Sequence, residues 1–419
     1  MRGIFGHCDN SDTMTLNARP NLAKDVARDV AIDLAVDLAN PAADLSDQAM
    51  ALTVRQAIKK AGGWIGFDEF MALALYAPGL GYYAHGSAKF GTLPADALQD
   101  SRKDGGGGEG SDFVTAPEMT PLFGQTLATQ VAQALLATRT AEVWEFGAGS
   151  GALALQVLDE LARLHVPLER YAIVDLSGSL RARQQKRLMP HADKVRWVDA
   201  LPQHMHGVVL GNEVLDAMPV KLLVRAGGQW CERGVALTDD ALLAWADTPT
   251  DLRPAVEVPG PHDYLTEIHP QAEAFIRTLA DKLTQGAAFF LDYGFPEGEY
   301  YHPQRHMGTV MCHRQHRADA NPLIDVGLKD ITAHVNFTGI AMAGQDAGLD
   351  VLGYCTQARF LMNCGLLNRL ETASFADKSM AQKLIMEHEM GELFKVIGFA
   401  RGGFDDAIGF AQGDRTHTL

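Results

Sequence analysis

The sequence predicts an α/β fold, doubly wound around a mostly parallel sheet, with an N-terminal helical cap and an insertion before the last strands. Three observations predict it. Short apolar runs alternate with helical patterns from residue 142 to residue 294. A glycine turn, "EFGAGSG" at 145–151, follows the first run and opens a helix. The alternation then resumes over 349–400, ending in an apolar run near "LFKVIGFA".

The elements follow in order. In "DVARDVAIDLAVDLAN" (25–40) an aspartate recurs every four residues, at Asp25, Asp29, Asp33 and Asp37. On a helix these charges would line one side and repel, so residues 1–49 read as disordered or non-native and outside the fold. Met14 and Met50 are alternative starts. The segment lacks the apolar region of a secretory signal and is too acidic for a mitochondrial transit peptide. Residues 50–140 read as the cap and lid. They hold two helices broken at Gly62-Gly63, an irregular "GYYAHGSAKFG", a flexible glycine-rich loop at 96–112, and a long amphipathic helix. Thr120 suits the N-cap of that helix and Pro121 its first position.

Residues 141–300 read as the core. Strands are expected at 142–147, 170–176, 195–200, 206–214 and 286–294, with a hairpin around Gly227-Gly228. An irregular insertion at 301–348 follows. Residues 349–402 complete the sheet, and 403–419 form a tail.

Bulk properties exclude several classes. Lys and Arg number 36 against 52 Asp and Glu, a net charge of −16, which argues against a nucleic-acid surface. No apolar run is long enough to span a bilayer. Five scattered cysteines (Cys8, Cys231, Cys312, Cys355, Cys364) suggest no disulfide framework and point to a reducing, cytoplasmic compartment.

The glycine turn needs a ligand. In open parallel sheets ligands sit beyond the carboxyl ends of the strands, and glycines let backbone N–H groups approach closely. Gly147, Gly149 and Ala152 satisfy the dinucleotide pattern G-x-G-x-x-G/A. Glu145, Gly147, Gly149 and Gly151 also satisfy E-x-G-x-G-x-G, a loop that resembles those of S-adenosylmethionine (SAM) methyltransferases. A carboxylate beside the turn would repel a pyrophosphate, whereas SAM carries an ammonium and a sulfonium. Asp175 ends the second strand, where it would accept hydrogen bonds from ribose hydroxyls of either cofactor. Asp199, after the third strand, is placed to bond an adenine amino group. Asn212 and Glu213 lie just past the fourth strand, where methyltransferases commonly hold the acceptor.

Eight stretches in order extend this. They are "FMALALYAPGLGYY" (70–83), "DFVTAPEMTPLFG" (112–124), "WEFGAGSG" (144–151), "NEVLDAMPV" (212–220), "LDYGF" (291–295), "HRADANP" (316–322), "DITAHVNF" (330–337) and "MGELFKVI" (390–397). From Gly66 to Phe399 the chain resembles the MidA-like group of class I methyltransferases, which includes the mitochondrial complex I assembly factor with protein arginine methyltransferase activity. The resemblance implies a Rossmann-like methyltransferase sheet, SAM as cofactor and a protein arginine as acceptor. It implies that Glu145, Gly147, Gly149 and Gly151 form the cofactor loop and that Asp175 holds the ribose. Asn212, Glu213 and Asp216 fall in the segment facing the transferred methyl. Thr115, Pro117 and Glu118 belong to the segment that closes over the pocket. Departures are Ala148, the short Asp175 where the family often has Glu, and Asn336 in place of a carboxylate.

Methyl transfer from a sulfonium is an in-line displacement that needs alignment and desolvation rather than a metal. A guanidinium acceptor would be held by carboxylates. Glu213 is the candidate for this, helped by Asp216 or by the backbone near Asn212; the alternative is that Glu213 caps a helix starting at Val214. His302, His306, His313, His316, His334 and Cys312 match no standard zinc spacing. His334 stands either at the acceptor pocket or in the core. Two other functions compete: a SAM-binding assembly chaperone with little turnover, and a nicotinamide-dependent oxidoreductase.

Overall fold

The chain is described from a computed structural model over residues 41–84, 115–175, 178–314 and 317–419. The aspartate repeat, the glycine-rich loop and His316 lie outside the described residues. Residues 47–419 form one compact unit. The first described helix, Pro41–Lys60, starts inside the stretch assigned to disorder. Its apolar residues Met50, Val54 and Ile58, four apart, are fully buried, and that stripe anchors the helix.

This unit is built on a sheet whose main strands are β1 (Glu142–Phe146), β2 (Arg170–Val174), β3 (Val195–Trp197), β4 (Met205–Asn212), β5 (Leu283–Phe295), β6 (Asp350–Thr356) and β7 (Phe394–Arg401). Their order is β6-β7-β5-β4-β1-β2-β3. β1 to β5 run parallel, and β7 is antiparallel to both its neighbours. The connection order reverses between β1 and β4, so the crevice there is the switch point of the sheet.

Both faces are covered, which is why the strands read as continuous apolar runs. Val208, Leu210, Phe289 and Leu291 pack with the helices Leu122–Thr138 and Ala152–Arg163. Val209, Ala288 and Phe290 point the other way, against the helices Pro270–Lys282 and Phe337–Asp346. The helix Leu122–Thr138 starts one residue later than its sequence suggests. Thr120 Oγ1 still accepts the Leu122 N–H, at 3.3 Å. It is not amphipathic in the simple sense: Phe123, Thr126, Gln130 and Leu135 are all buried, because it lies between the Ala152–Arg163 helix and the C-terminal helices.

Two further sheets were only partly legible. Trp64–Gly66, Lys221–Ala226, Gln229–Leu237, Leu243–Pro249 and Tyr264–Ile268 form a five-stranded antiparallel sheet. The expected hairpin turns at Gly227-Gly228, with φ of 56° and 82°. The stretch expected to be irregular before residue 345 contains a three-stranded sheet of Met311–Arg314, Arg317–Asp319 and Asp330–Thr332. The supposed tail packs on the core through Phe404, Ala407 and Phe410. Among the described residues no helix is long and apolar enough to cross a membrane.

Candidate active site

A cavity of about 1160 Å³ opens at the carboxyl ends of β1, β2, β4 and β5. Glu145, Gly147, Gly149, Asp175, Asn212, Glu213, Asp216, His334, Thr115 and Pro117 all line it. Strand ends deliver most of these residues, and the short helix Ala116–Met119 brings Thr115 and Pro117.

The glycine turn forms one wall. Gly147, Gly149 and Gly151 have φ of 63°, 53° and 83°, a region that side chains other than glycine rarely adopt. A Cβ on Gly147 would also stand 3.0 Å from Val214 Cγ2. Gly151 does not line the cavity; it turns the chain into the helix Ala152–Arg163. Asp175 follows β2 and accepts Gln184 Nε2 at 2.8 Å, and the same nitrogen reaches Gly149 O at 2.8 Å. That amide ties the two ligand-facing loops together.

Glu145 is almost wholly buried, and Tyr171 donates its hydroxyl to Oε2 at 2.7 Å. Burial pushes its pKa up to about 8, with the Tyr171 hydrogen bond opposing the shift. Asp199 stands outside the cavity lining. Its side chain is 86% exposed and pairs with Arg181 at 3.3 Å. Glu118 is also outside the lining. It bonds Ser150 Oγ of the glycine turn, and Arg187 at 2.8 Å, so it fastens the 115–119 segment to that turn.

The other half of the cavity is acidic. Glu213 has φ of 54°, and no helix begins at Val214, so the helix-cap alternative for Glu213 is set aside. Its carboxylate accepts Asn212 Nδ2 at 2.9 Å and the backbone N–H of Ala116. Burial, then the nearby Asp216, raise its pKa to about 8. Asp216 is raised to about 6 by burial, with a Tyr293 hydrogen bond pulling it back. Asp216 Oδ1 and Asn212 Oδ1 are buried and have no hydrogen-bond partner among the described residues.

Asp292, at the end of β5, holds this loop. Its Oδ2 accepts the amides of Val214, Leu215 and Asp216 at 3.1, 2.9 and 3.2 Å. His334 lines the cavity, its ring edge-on to Tyr293 at 5.2 Å. Burial, then the charges of Arg305 and Lys395, lower its pKa to about 4, so it is neutral at neutral pH. Asn336 is not in the lining. Its Oδ1 caps the helix Phe337–Asp346 by accepting the Gly339 N–H at 3.3 Å, a position that Asn and Asp serve alike. The missing carboxylate there is a helix cap, not a site group.

Sequence reasoning missed Asp292, Tyr293, Asp330 and Tyr76, and read Tyr83 of "GYY" as either a lid-lining or a core aromatic. The last four line the cavity, and all five sit inside the quoted stretches "LDYGF", "DITAHVNF" and "FMALALYAPGLGYY". The signal was present, but linear spacing does not say which residue of a motif faces inward. Of the "GYY" pair, Tyr82 is fully buried in the core and Tyr83 faces the cavity. Among the described residues no three His, Cys, Asp or Glu side chains gather to hold a metal ion.

The chain is similar to known proteins. A crystal structure from Burkholderia thailandensis bound to S-adenosyl-homocysteine is 49% identical and aligns with a TM-score of 0.85, covering 92% of this chain and 100% of that one. A native crystal structure from the same organism is 48% identical, with a TM-score of 0.82. The protein arginine methyltransferase NDUFAF7 homolog, mitochondrial, of Caenorhabditis elegans is 26% identical over 364 residues, 79% of this chain and 80% of its own. The human protein arginine methyltransferase NDUFAF7, mitochondrial, is 25% identical over 368 residues, 79% of this chain and 77% of its own. The model of a family of S-adenosyl-L-methionine-dependent methyltransferases matches residues 126–355, more than half of the chain. The glycine turn, the acid at the end of β2 and these likenesses agree: the chain belongs to the MidA-like family of SAM-dependent methyltransferases.

Proposed function

We propose that the protein methylates an arginine of a protein partner and that the reaction is linked to respiratory complex assembly. The observation that carries this reading is the pair of carboxylates, half-buried Glu213 and buried Asp216, lining the same cavity as the glycine turn. An uncompensated buried carboxylate is costly and calls for a cation. The names of the C. elegans and human relatives support an arginine acceptor. The respiratory link rests on the family resemblance.

When bound, SAM supplies the methyl group. The residues fit it: Gly147 and Gly149 bring bare backbone to the cavity, Asp175 offers a carboxylate to ribose hydroxyls, and Glu145 offers one to an ammonium. Gly151 sets the turn. Thr115 and Pro117 close over the cavity, and Glu118 fastens that segment through Ser150 and Arg187. These contacts support reading residues 50–140 as a cap and lid. Asp199, exposed and paired with Arg181, has no part in the proposal.

Glu213 pairs with the N–H fork of the acceptor and aligns one nitrogen, with Asn212 orienting the carboxylate at 2.9 Å. That nitrogen loses a proton as it gains the methyl. A carboxylate whose pKa is raised to about 8 is matched to take it near neutral pH. Asp216 balances the remaining charge. Neutral His334 shapes the pocket beside Tyr293. The four free cysteines among the described residues support a reducing bacterial cytoplasm as the setting.

The test is incubation with labelled SAM and lysate from a deletion strain, followed by mass spectrometry. Label on an arginine of one or a few proteins, lost with Glu213→Gln while SAM binding persists, is the expected result. Label on no arginine would end the reading.

A further inference from the structure

We propose that Asp330, braced by Tyr83, is a specificity-determining residue of the acceptor site: it is a third carboxylate, beside Glu213 and Asp216, that the acceptor guanidinium contacts. This deepens the arginine reading and rests on it.

Asp330 opens the strand Asp330–Thr332, is 2% exposed, and lines the cavity. The backbone ties its segment to the Glu213 loop, since Ala333 N donates to Asp216 O at 2.9 Å. Two tyrosines from the N-terminal part then bridge the two segments. Tyr83 donates its hydroxyl to Asp330 Oδ1 at 2.9 Å, and Tyr76 donates to Ala217 O at 2.7 Å. Their rings stack with centroids 5.6 Å apart, and both line the cavity. Asp330 and Asp216 both act on Tyr76 and on Glu213 through their charge, so the three carboxylates share one field.

A separate observation points to a ligand. Asp216 is 5% exposed and lines the cavity, yet its Oδ1 has no hydrogen-bond partner among the described residues. Buried carboxylate oxygens in folded proteins are almost always paired. The donor that fits is planar and presents N–H groups along more than one edge, as a guanidinium does. An ammonium has three donors but no plane. A neutral acceptor would leave the carboxylates uncompensated, so the site rejects it. Carboxylates on two segments, Glu213 and Asp216 on one and Asp330 on the other, can meet different edges of one guanidinium. The aromatic faces of Tyr76 and Tyr83 suit its flat side.

The experiment uses the full chain, labelled SAM and deletion-strain lysate in a dilution series, read as label on arginine. Asp330→Asn is expected to raise the half-saturating lysate concentration about tenfold or more. Maximal rate should change less, SAM affinity by calorimetry should stay within about twofold, and Asp330→Glu should recover part of the loss. An unchanged half-saturation with Asp330→Asn overturns the inference while leaving the arginine reading intact. If the wild type labels no arginine, the arginine reading itself falls. Should Asp330→Asn lose SAM binding, Tyr83→Phe carries the test: a rise of about threefold or more is expected, and no rise overturns the inference.

Discussion

Asp292 Oδ2 accepts the backbone N–H of Leu215 at 2.9 Å, with the amides of Val214 and Asp216 on the same oxygen. A carboxylate at the end of one strand therefore dictates the path of the loop after its neighbour. Burial pushes the Asp292 pKa up, and the amide bonds oppose that shift. The same loop holds Glu213 in the left-handed region, at φ 54°. Asp292→Ala would leave three buried amides without an acceptor. It should cost about 2–4 kcal/mol of stability, measured by urea unfolding, and lower kcat by about 100-fold, since a small misplacement of Glu213 is enough.

Gly147→Ala tests the glycine turn. The residue sits at φ 63°, and an added Cβ would lie 3.0 Å from Val214 Cγ2. SAM affinity is expected to fall about tenfold or more, because the backbone must move away from the ligand to relieve the contact. Calorimetry with SAM checks it, and Gly228→Ala, in an open hairpin turn, should leave affinity unchanged.

Glu213 makes stability and catalysis run in opposite directions with pH. Its folded pKa, about 8, lies above its ordinary value. The stability this group contributes is fully present below that ordinary value and is lost as pH rises through about 8. A cationic acceptor prefers the ionised carboxylate, so kcat/KM should climb between about pH 6.5 and 8.5, by up to tenfold. Glu213→Gln should abolish the rate and lessen, without removing, the alkaline loss of stability, because Glu145 titrates in the same range. Thermal melts and initial rates across that range check the pair, and a wild-type rate that falls with pH contradicts the assignment.

Glu145→Gln should separate folding from binding. Glu145 is a buried acid with pKa raised to about 8, so above that pH the folded state holds a poorly solvated charge. Replacing it should raise Tm by about 2–4 °C at alkaline pH without ligand, and weaken SAM binding by about tenfold through loss of an ammonium partner. Differential scanning calorimetry with and without SAM reads both effects.

How much was legible in the sequence follows from distance along the chain. β1, β2, β4 and β5 were plain because each is a local apolar run next to a helical one. The glycine turn and Asp175 followed from their places at strand ends. The strand Trp64–Gly66 was not legible: three residues carry no period, and Ile65 pairs with Val235 far along the chain. Asp330 and Tyr83 were within quoted motifs, yet their 2.9 Å contact joins residues on two distant segments. Asp199 was misplaced for a related reason. Its position after β3 suggested a ligand contact, but β3 stops at Trp197 and the side chain turns to solvent and Arg181.

The position of β7 has a consequence for biosynthesis. This strand, the last of the sheet in chain order, slots between β5 and β6 and pairs with eight residues of β5, from Gly286↔Arg401 to Tyr293↔Phe394. Until the ribosome has delivered it, β5 offers an apolar open edge directly beneath the acidic loop, a template for aberrant pairing between nascent chains. Chains cut short before residue 394 leave that edge uncovered and are expected to be less soluble than the full chain, as a sedimentation assay of the two would read.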